Sequence, residues 1–273
     1  MAAIVLALAA SLAWGASDFL AGIKTRELAV VWVLLVSQAT GLILVAAAAI
    51  ASGEPLPGGT AALWAAGAGI AELIGFTALY RALAVGEMSI VAPISATAAL
   101  VPVMLSLAHG EAPSMLQSLG MTLALGGAAL ASTEPGAHRA AGVGLAVLAA
   151  VAFGLFFVGM DAAADDGALW AVAINRTAAI SVLLVAVAIL RPKLLPRAAY
   201  APLAAVGGLD VAANVMFAIA LTVGMAAMVS VLGSLYPLAT VALARAVLHE
   251  RVTSSQRTGV MAALTGVALV SLA

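Results

Sequence analysis

The sequence predicts an all-α membrane protein of ten transmembrane helices in two related halves, and three observations predict it. Of 273 residues, 65% are hydrophobic and 8% are charged, whereas soluble globular domains carry about 25% charged residues. Apolar runs of the roughly 20 residues needed to cross a ~30 Å hydrocarbon core follow one another along the chain. The stretch from Gly86 to Gly120 returns, shifted by 138 or 139 positions, as Gly224 to Gly259; Val91 matches Val229, Glu111 matches Glu250 and Gln117 matches Gln256.

The expected spans are 2 to 23, 29 to 51, 60 to 80, 88 to 108, 113 to 133, 140 to 160, 168 to 190, 199 to 221, 225 to 248 and 257 to 273. Little remains for loops, so the chain works within the bilayer, where backbone polar groups must be paired internally and helices are favoured. The runs lack the period-two alternation of a barrel. The first run has no basic n-region and leads into Gly15 to Asp18, so it is expected to be retained as span 1 rather than cleaved. Cysteine is absent and the net charge is -1; neither disulfide nor thiolate chemistry is available.

Span 1 sets Ser11, Trp14 and Asp18 at helical spacing, with Gly15 and Gly22 alongside, on a face that should look inward. Its counterpart, span 6, aligns Phe153 with Trp14 and Gly154 with Gly15, but puts Phe157 where Asp18 stands. Span 2 carries Gln38 in mid-helix. With Trp32 matching Trp170, the repeat places Arg176 at the same depth of span 7. A central arginine or aspartate costs about 2.5–3.5 kcal/mol on insertion and usually faces a cavity or a partner charge. Span 3 stacks Glu72, Phe76 and Tyr80 four apart on one stripe. Span 8 repeats the theme, with Asp210 at the position of Glu72 and with Asn214 and Phe217 following.

Pro93 and Pro102 interrupt span 4, and Gly233, Ser234 and Pro237 interrupt span 9. Each proline removes a helical hydrogen bond and is expected to kink its helix. Interrupted helices at matching places in two halves point to a transporter's binding site, which brings in Ser95 and Ser234 beside the interruptions. Spans 5 and 10 offer Gly120 with Ala124 and Gly259 with Ala263, small faces suited to close packing.

Taken together, these residues resemble the drug/metabolite transporter superfamily in its ten-helix EamA-type form. The resemblance covers essentially the whole chain. It is carried by Trp14-Gly15 with Lys24, Ala82-Leu83 before Gly86, Val91-Ala92-Pro93-Ile94, Glu111 with Gln117 and Gly120, Ser234-Leu235-Tyr236-Pro237, and His249-Glu250-Arg251-Val252-Thr253 with Gln256 and Gly259. The family implies two inverted five-helix repeats, here 1–137 and 138–273, around a central cavity lined by helices 1, 3, 4, 6, 8 and 9. It also implies alternating access, with export of amino acids, aromatic ones included, and other small metabolites. Two residues depart from the family pattern: His249 precedes Glu250 where glycine is usual, and Asp18 replaces a commonly neutral amide.

The expected substrate-binding set is Trp14, Gln38, Glu72, Phe76, Tyr80, Ser95, Arg176, Asp210, Asn214 and Ser234. Asp18, Glu72 and Asp210 are the candidates for binding a coupling proton or cation, and Pro93 and Pro237 for gating. The alternative for the acids is structural hydrogen bonding. Arg176 could clamp a substrate carboxylate with its fork of donors, but pairing with Asp18, Glu72 or Asp210 is the favoured reading, because an unpaired buried charge is expensive. The rings at Trp14, Phe76, Tyr80, Phe153, Phe156 and Phe217 read first as packing. His109, His138 and His249 sit at span ends with no second ligand at metal spacing. No metal, other cofactor or nucleic acid is called for. The expected partners are a small-molecule substrate, the lipid bilayer and protons, and a monomer suffices.

An enzyme is disfavoured, since HExxH, GxSxG and paired protease aspartates are missing. The rivals within the same fold are a proton-coupled drug-efflux carrier and an uptake carrier, and outside it a passive channel or receptor. The loop residues Lys24, Arg26, Arg81, Arg139, Arg191, Lys193, Arg197, Arg251 and Arg257 all follow odd-numbered spans. By the positive-inside rule both termini are therefore expected on the periplasmic side of the cytoplasmic membrane.

Overall fold

The computed structural model describes residues 1–25, 27–85, 94–95, 97–110, 113–131, 142–248 and 253–272. Pro93, the turns at Glu111 and Glu250, His138, His249, Arg26, Arg139 and Arg251 lie outside the described residues.

Among the described residues the chain forms α1 (Ala2–Thr25), α2 (Val30–Ser52), α3 (Gly59–Val85), α4 (Leu100–Ala108, entered through a 3-10 turn at Thr97–Ala99) and α5 (Met115–Ala131) in its first half. The second half holds α6 (Val143–Ala164), α7 (Ala168–Leu190), α8 (Tyr200–Thr222), α9 (Ala226–Gly233), α10 (Tyr236–Leu248) and α11 (Ser254–Leu272). The six helices α1, α2, α3, α6, α7 and α8 are each long and apolar enough to cross a membrane. The expected span 9 is two helices. It breaks at Ser234 and Leu235, so Pro237 falls in the first turn of α10, where its missing N–H costs no helical bond. Pro102 likewise sits in the first turn of α4. The interruption in span 9 is thus a break between two helices rather than the kink expected within one. At α5 a capping box closes the start: the Ser114 N–H donates to Gln117 Oε1 at 2.9 Å, and the Gln117 N–H donates to Ser114 Oγ at 3.1 Å. Together these satisfy two donors a helix start leaves free.

Each helix packs chiefly on the other half, and the contacts come in repeat-related pairs. The α1–α8 seam is matched by α3–α6, and α2–α8 by α3–α7, while α2–α7 and α5–α11 each pair an element with its own counterpart. The reason is written in glycines at the repeat interval. A Cβ on Gly69 would strike the backbone carbonyl of Asn175, and one on Gly207 would strike that of Ser37; the four residues form two repeat-related pairs. Gly127 similarly meets the α11 backbone at Gly259 and Ala263, as Gly266 meets α5 at Gly120 and Ala124. With no hydrophobic drive between helices in lipid, such close backbone approach is what holds them together.

Two tryptophans clasp the ends of the bundle by the same symmetry. The Trp32 indole N–H donates to the Lys193 carbonyl at 2.8 Å, and the Trp170 indole N–H donates to the Glu54 carbonyl at 2.9 Å. Each pins the loop after its partner helix, α7 or α2. Even the helix ends correspond: α2 stops on Gly53 at φ 70° and α7 on Arg191 at φ 44°, so one left-handed cap is built from glycine and the other from arginine.

Candidate functional site

Where the halves meet, five helices contribute to one buried polar chain. The Trp14 indole N–H of α1 donates to Asn214 Oδ1 of α8 at 2.7 Å. The Asn214 Nδ2 donates to Glu72 Oε1 of α3 at 2.9 Å. That oxygen lies 4.0 Å from Arg176 Nη2 of α7, and Arg176 Nη1 donates to Asp210 Oδ2 of α8 at 2.6 Å and to Gln38 Oε1 of α2. Arg176 is completely buried. A charge there is tolerable because it is paired and hydrogen-bonded, and removing a partner would be costly. Of the alternatives open for Arg176, the geometry selects Asp210 as the direct partner, with Glu72 at the edge of reach.

The pairing is incomplete. Glu72 Oε2, Arg176 Nε and Arg176 Nη2 are buried with no hydrogen-bond partner among the described residues. Buried polar atoms are rarely left so.

Beside this network lie two small voids. One, about 10 Å³, is bounded by Ser17, Asp18, Gln38, Phe76, Tyr80 and Asp210 among others. The second, about 30 Å³, is enclosed by Trp14, Asp18, Glu72, Phe76, Phe153, Phe156, Phe157 and Tyr236. By that measure a single water needs about 10–15 Å³, so the voids are on the scale of a few waters. Asp18 and Phe76 border both voids. The Phe76 ring stands edge-on to Phe153 at 5.3 Å and stacks on Tyr80 at 5.9 Å. A second group closes over the other side, with Trp14–Phe217 at 5.2 Å and Phe157–Phe217 at 4.9 Å. Edge-on and offset rings at such separations attract one another beyond simple burial.

The residues expected at the site therefore divide. Trp14, Gln38, Glu72, Arg176, Asp210 and Asn214 form the network, while Phe76, Tyr80 and Asp18 border the voids. Ser95 and Ser234 are buried outside the void linings. Ser234 stands at the break between α9 and α10, with Oγ unpartnered among the described residues. Tyr236 and Ser17 were not singled out by their sequence signals. Ser17 does fall one position from Asp18, and its hydroxyl donates to the Val206 carbonyl of α8 at 3.1 Å, but nothing in the spacing announced that bond.

A bundle of apolar helices built twice over, with an acid-bearing aromatic chamber where the copies meet, has the architecture of a membrane transporter. The model of the EamA-like transporter family matches residues 1–133 and again 140–272; the chain belongs to that family and is a multi-pass membrane protein of a transporter class. A crystal structure titled only as that of a protein is similar to it with a TM-score of 0.79 at 17% identity, covering 99% of this chain and 96% of that one; the likeness is one of fold. No curated protein matches the chain.

Proposed function

We propose that this protein is a secondary-active carrier of the cytoplasmic membrane that exports small amphipathic metabolites by alternating access. Amino acids, aromatic ones included, are the first substrates to test. The observation that carries the reading is the chamber itself: an acid-and-amide network on one side, aromatic rings on the other, at the junction of two repeats. Ligand sites combine mostly apolar walls with a few placed polar groups. The break at Ser234 supplies a place for α9 and α10 to move relative to one another. Asp18, Glu72 and Asp210 are the groups available to exchange a proton with the substrate's movement. In the bilayer the ends bearing Lys24, Arg81, Arg191, Lys193, Arg197 and Arg257 face the cytoplasm, and the termini face the periplasm.

The test is growth in the presence of toxic amino-acid analogues. Expression should raise tolerance, and Tyr80→Ala or Asn214→Ala should cancel the gain at equal protein level. Sensitisation on expression would replace export with uptake.

A further inference from the structure

From the uneven chemistry of the chamber walls, we infer that the substrate end this chamber recognises is cationic: an ammonium group seated between Asp18 and Glu72, with its apolar or aromatic body against the rings. The inference rests on the carrier function proposed above and narrows its substrate to amphipathic amines.

The two repeats meet in the chamber as unlike walls. Asp18 and Phe157 are repeat equivalents, 139 positions apart, and both border the same void. So do Trp14 and Phe153. Both carboxylates thus come from the first half, beside Trp14 and Phe76, whereas the second half brings only rings among the described residues. Among the described residues that border this void there is no lysine or arginine. Arg176, the base nearest to Glu72, turns its Nη1 to Asp210 and Gln38 and borders neither void, so a carboxylate seated in the void would meet Asp18 and Glu72 first.

An ammonium group finds the opposite. Glu72 is 2% exposed, borders the void, and keeps Oε2 without a hydrogen-bond partner among the described residues. Asp18 stands at the junction of the two voids. Around them Trp14, Phe76, Phe153, Phe157 and Tyr236 present ring surfaces, and a cation over an aromatic face gains more when desolvated; aromatic cages are a recurrent site for quaternary ammonium groups. Among the described residues Arg176 stands against Glu72 and Asp210, and neither contact reaches Asp18, whose carboxyl is left to a bound cation. The void is smaller than such a ligand, so admission requires α6 and α10 to part from α1 and α3, and the ring contacts they release would be replaced by contacts with the substrate.

The experiment uses the purified full chain and four aromatic probes that differ in charge: phenyltrimethylammonium, phenylalaninamide, phenylalanine and 3-phenylpropionate. Ligand-induced thermal stabilisation gives their relative affinities, and flux into proteoliposomes shows which are carried. The expected order places the two cations first, phenylalanine behind them and 3-phenylpropionate without effect. In Asp18→Asn the affinity for phenylalaninamide should fall by about ten- to a hundredfold, the weight of one hydrogen bond to a charged group. Phenylalanine or 3-phenylpropionate binding more tightly than both cations overturns the inference and leaves the carrier function standing. Transport of none of the four, together with no gain in tolerance to toxic analogues, removes the carrier reading as well. Because the ranking is measured on the unaltered protein, it decides the matter even if Asp18→Asn fails to fold.

Discussion

Gln38 and Arg176 occupy equivalent positions in the two repeats, 138 residues apart, and they hydrogen-bond to each other. A contact between equivalents places them on the axis that relates the halves. Glu72 and Asp210, equivalent to each other by the same interval, then flank the arginine from opposite repeats. The buried charge is therefore a keystone shared by both halves rather than a feature of one.

Loss of that keystone should be severe and specific. Arg176→Gln leaves Asp210 and Glu72 buried without a counter-charge and is expected to cost about 3–5 kcal/mol, the range for breaking a buried ion pair by removing one member. The double variant Arg176→Gln/Asp210→Asn should recover much of the loss. Thermal unfolding in detergent measures both, and equal instability of the single and double variants would contradict the pairing.

Asn214 bridges Trp14 and Glu72, and its two functions separate by substitution. Asn214→Asp keeps an acceptor for the Trp14 indole but removes the donor to Glu72 and adds a like charge beside it. Asn214→Ala removes both bonds and should destabilise by about 1–3 kcal/mol for the polar groups left unmatched. The aspartate variant should lose transport at least as fully as the alanine variant; retention of full flux by Asn214→Asp would show that the donor to Glu72 is dispensable.

The glycine interlocks predict matched effects in the two halves. Gly69→Ala and Gly207→Ala each drive a methyl into an opposing backbone carbonyl. Each should cost about 1–3 kcal/mol, as overpacking does. Gly22 and Gly67, with nothing near the position of a Cβ, should accept alanine without loss and gain up to about 1 kcal/mol from helix propensity. Melting temperatures of the four variants check the pattern, and tolerance of alanine at Gly69 and Gly207 alike would refute the close approach.

Much of the fold was legible in the sequence because the bilayer fixes helix length and the duplication repeats the pattern. The acids Glu72 and Asp210 stood out for the same reason, as did Arg176 with its need for a partner. Which partner it takes was not legible, since Asp18, Glu72 and Asp210 are all acids at compatible depth and only packing decides among them. The clasps from Trp32 and Trp170 were equally hidden: their acceptors are loop carbonyls, and a carbonyl has no signature in a sequence. Tyr236 stands in the run that carries the resemblance but not in the expected site, because Pro237 reads in the sequence as a kink rather than as the break that precedes it. Asp18 was visible as a departure from symmetry, but that its repeat equivalent Phe157 borders the same void required the folded chain.

Orientation in the membrane is tested by a reporter fused after Ala273. A periplasm-active enzyme such as an alkaline phosphatase should be active there, and a cytoplasm-active β-galactosidase silent, if the basic ends face the cytoplasm. The reverse pair of activities would turn the molecule over.

The central claim, that the two repeats enclose a carrier's chamber rather than a pore, is tested most directly by counterflow in proteoliposomes. Vesicles loaded with unlabelled phenylalaninamide or phenylalanine and diluted into trace labelled solute should accumulate label transiently above equilibrium. The flux should saturate with concentration and fall in Asn214→Ala. Flux that rises linearly, with no overshoot from the loaded side, would contradict the account and describe a channel.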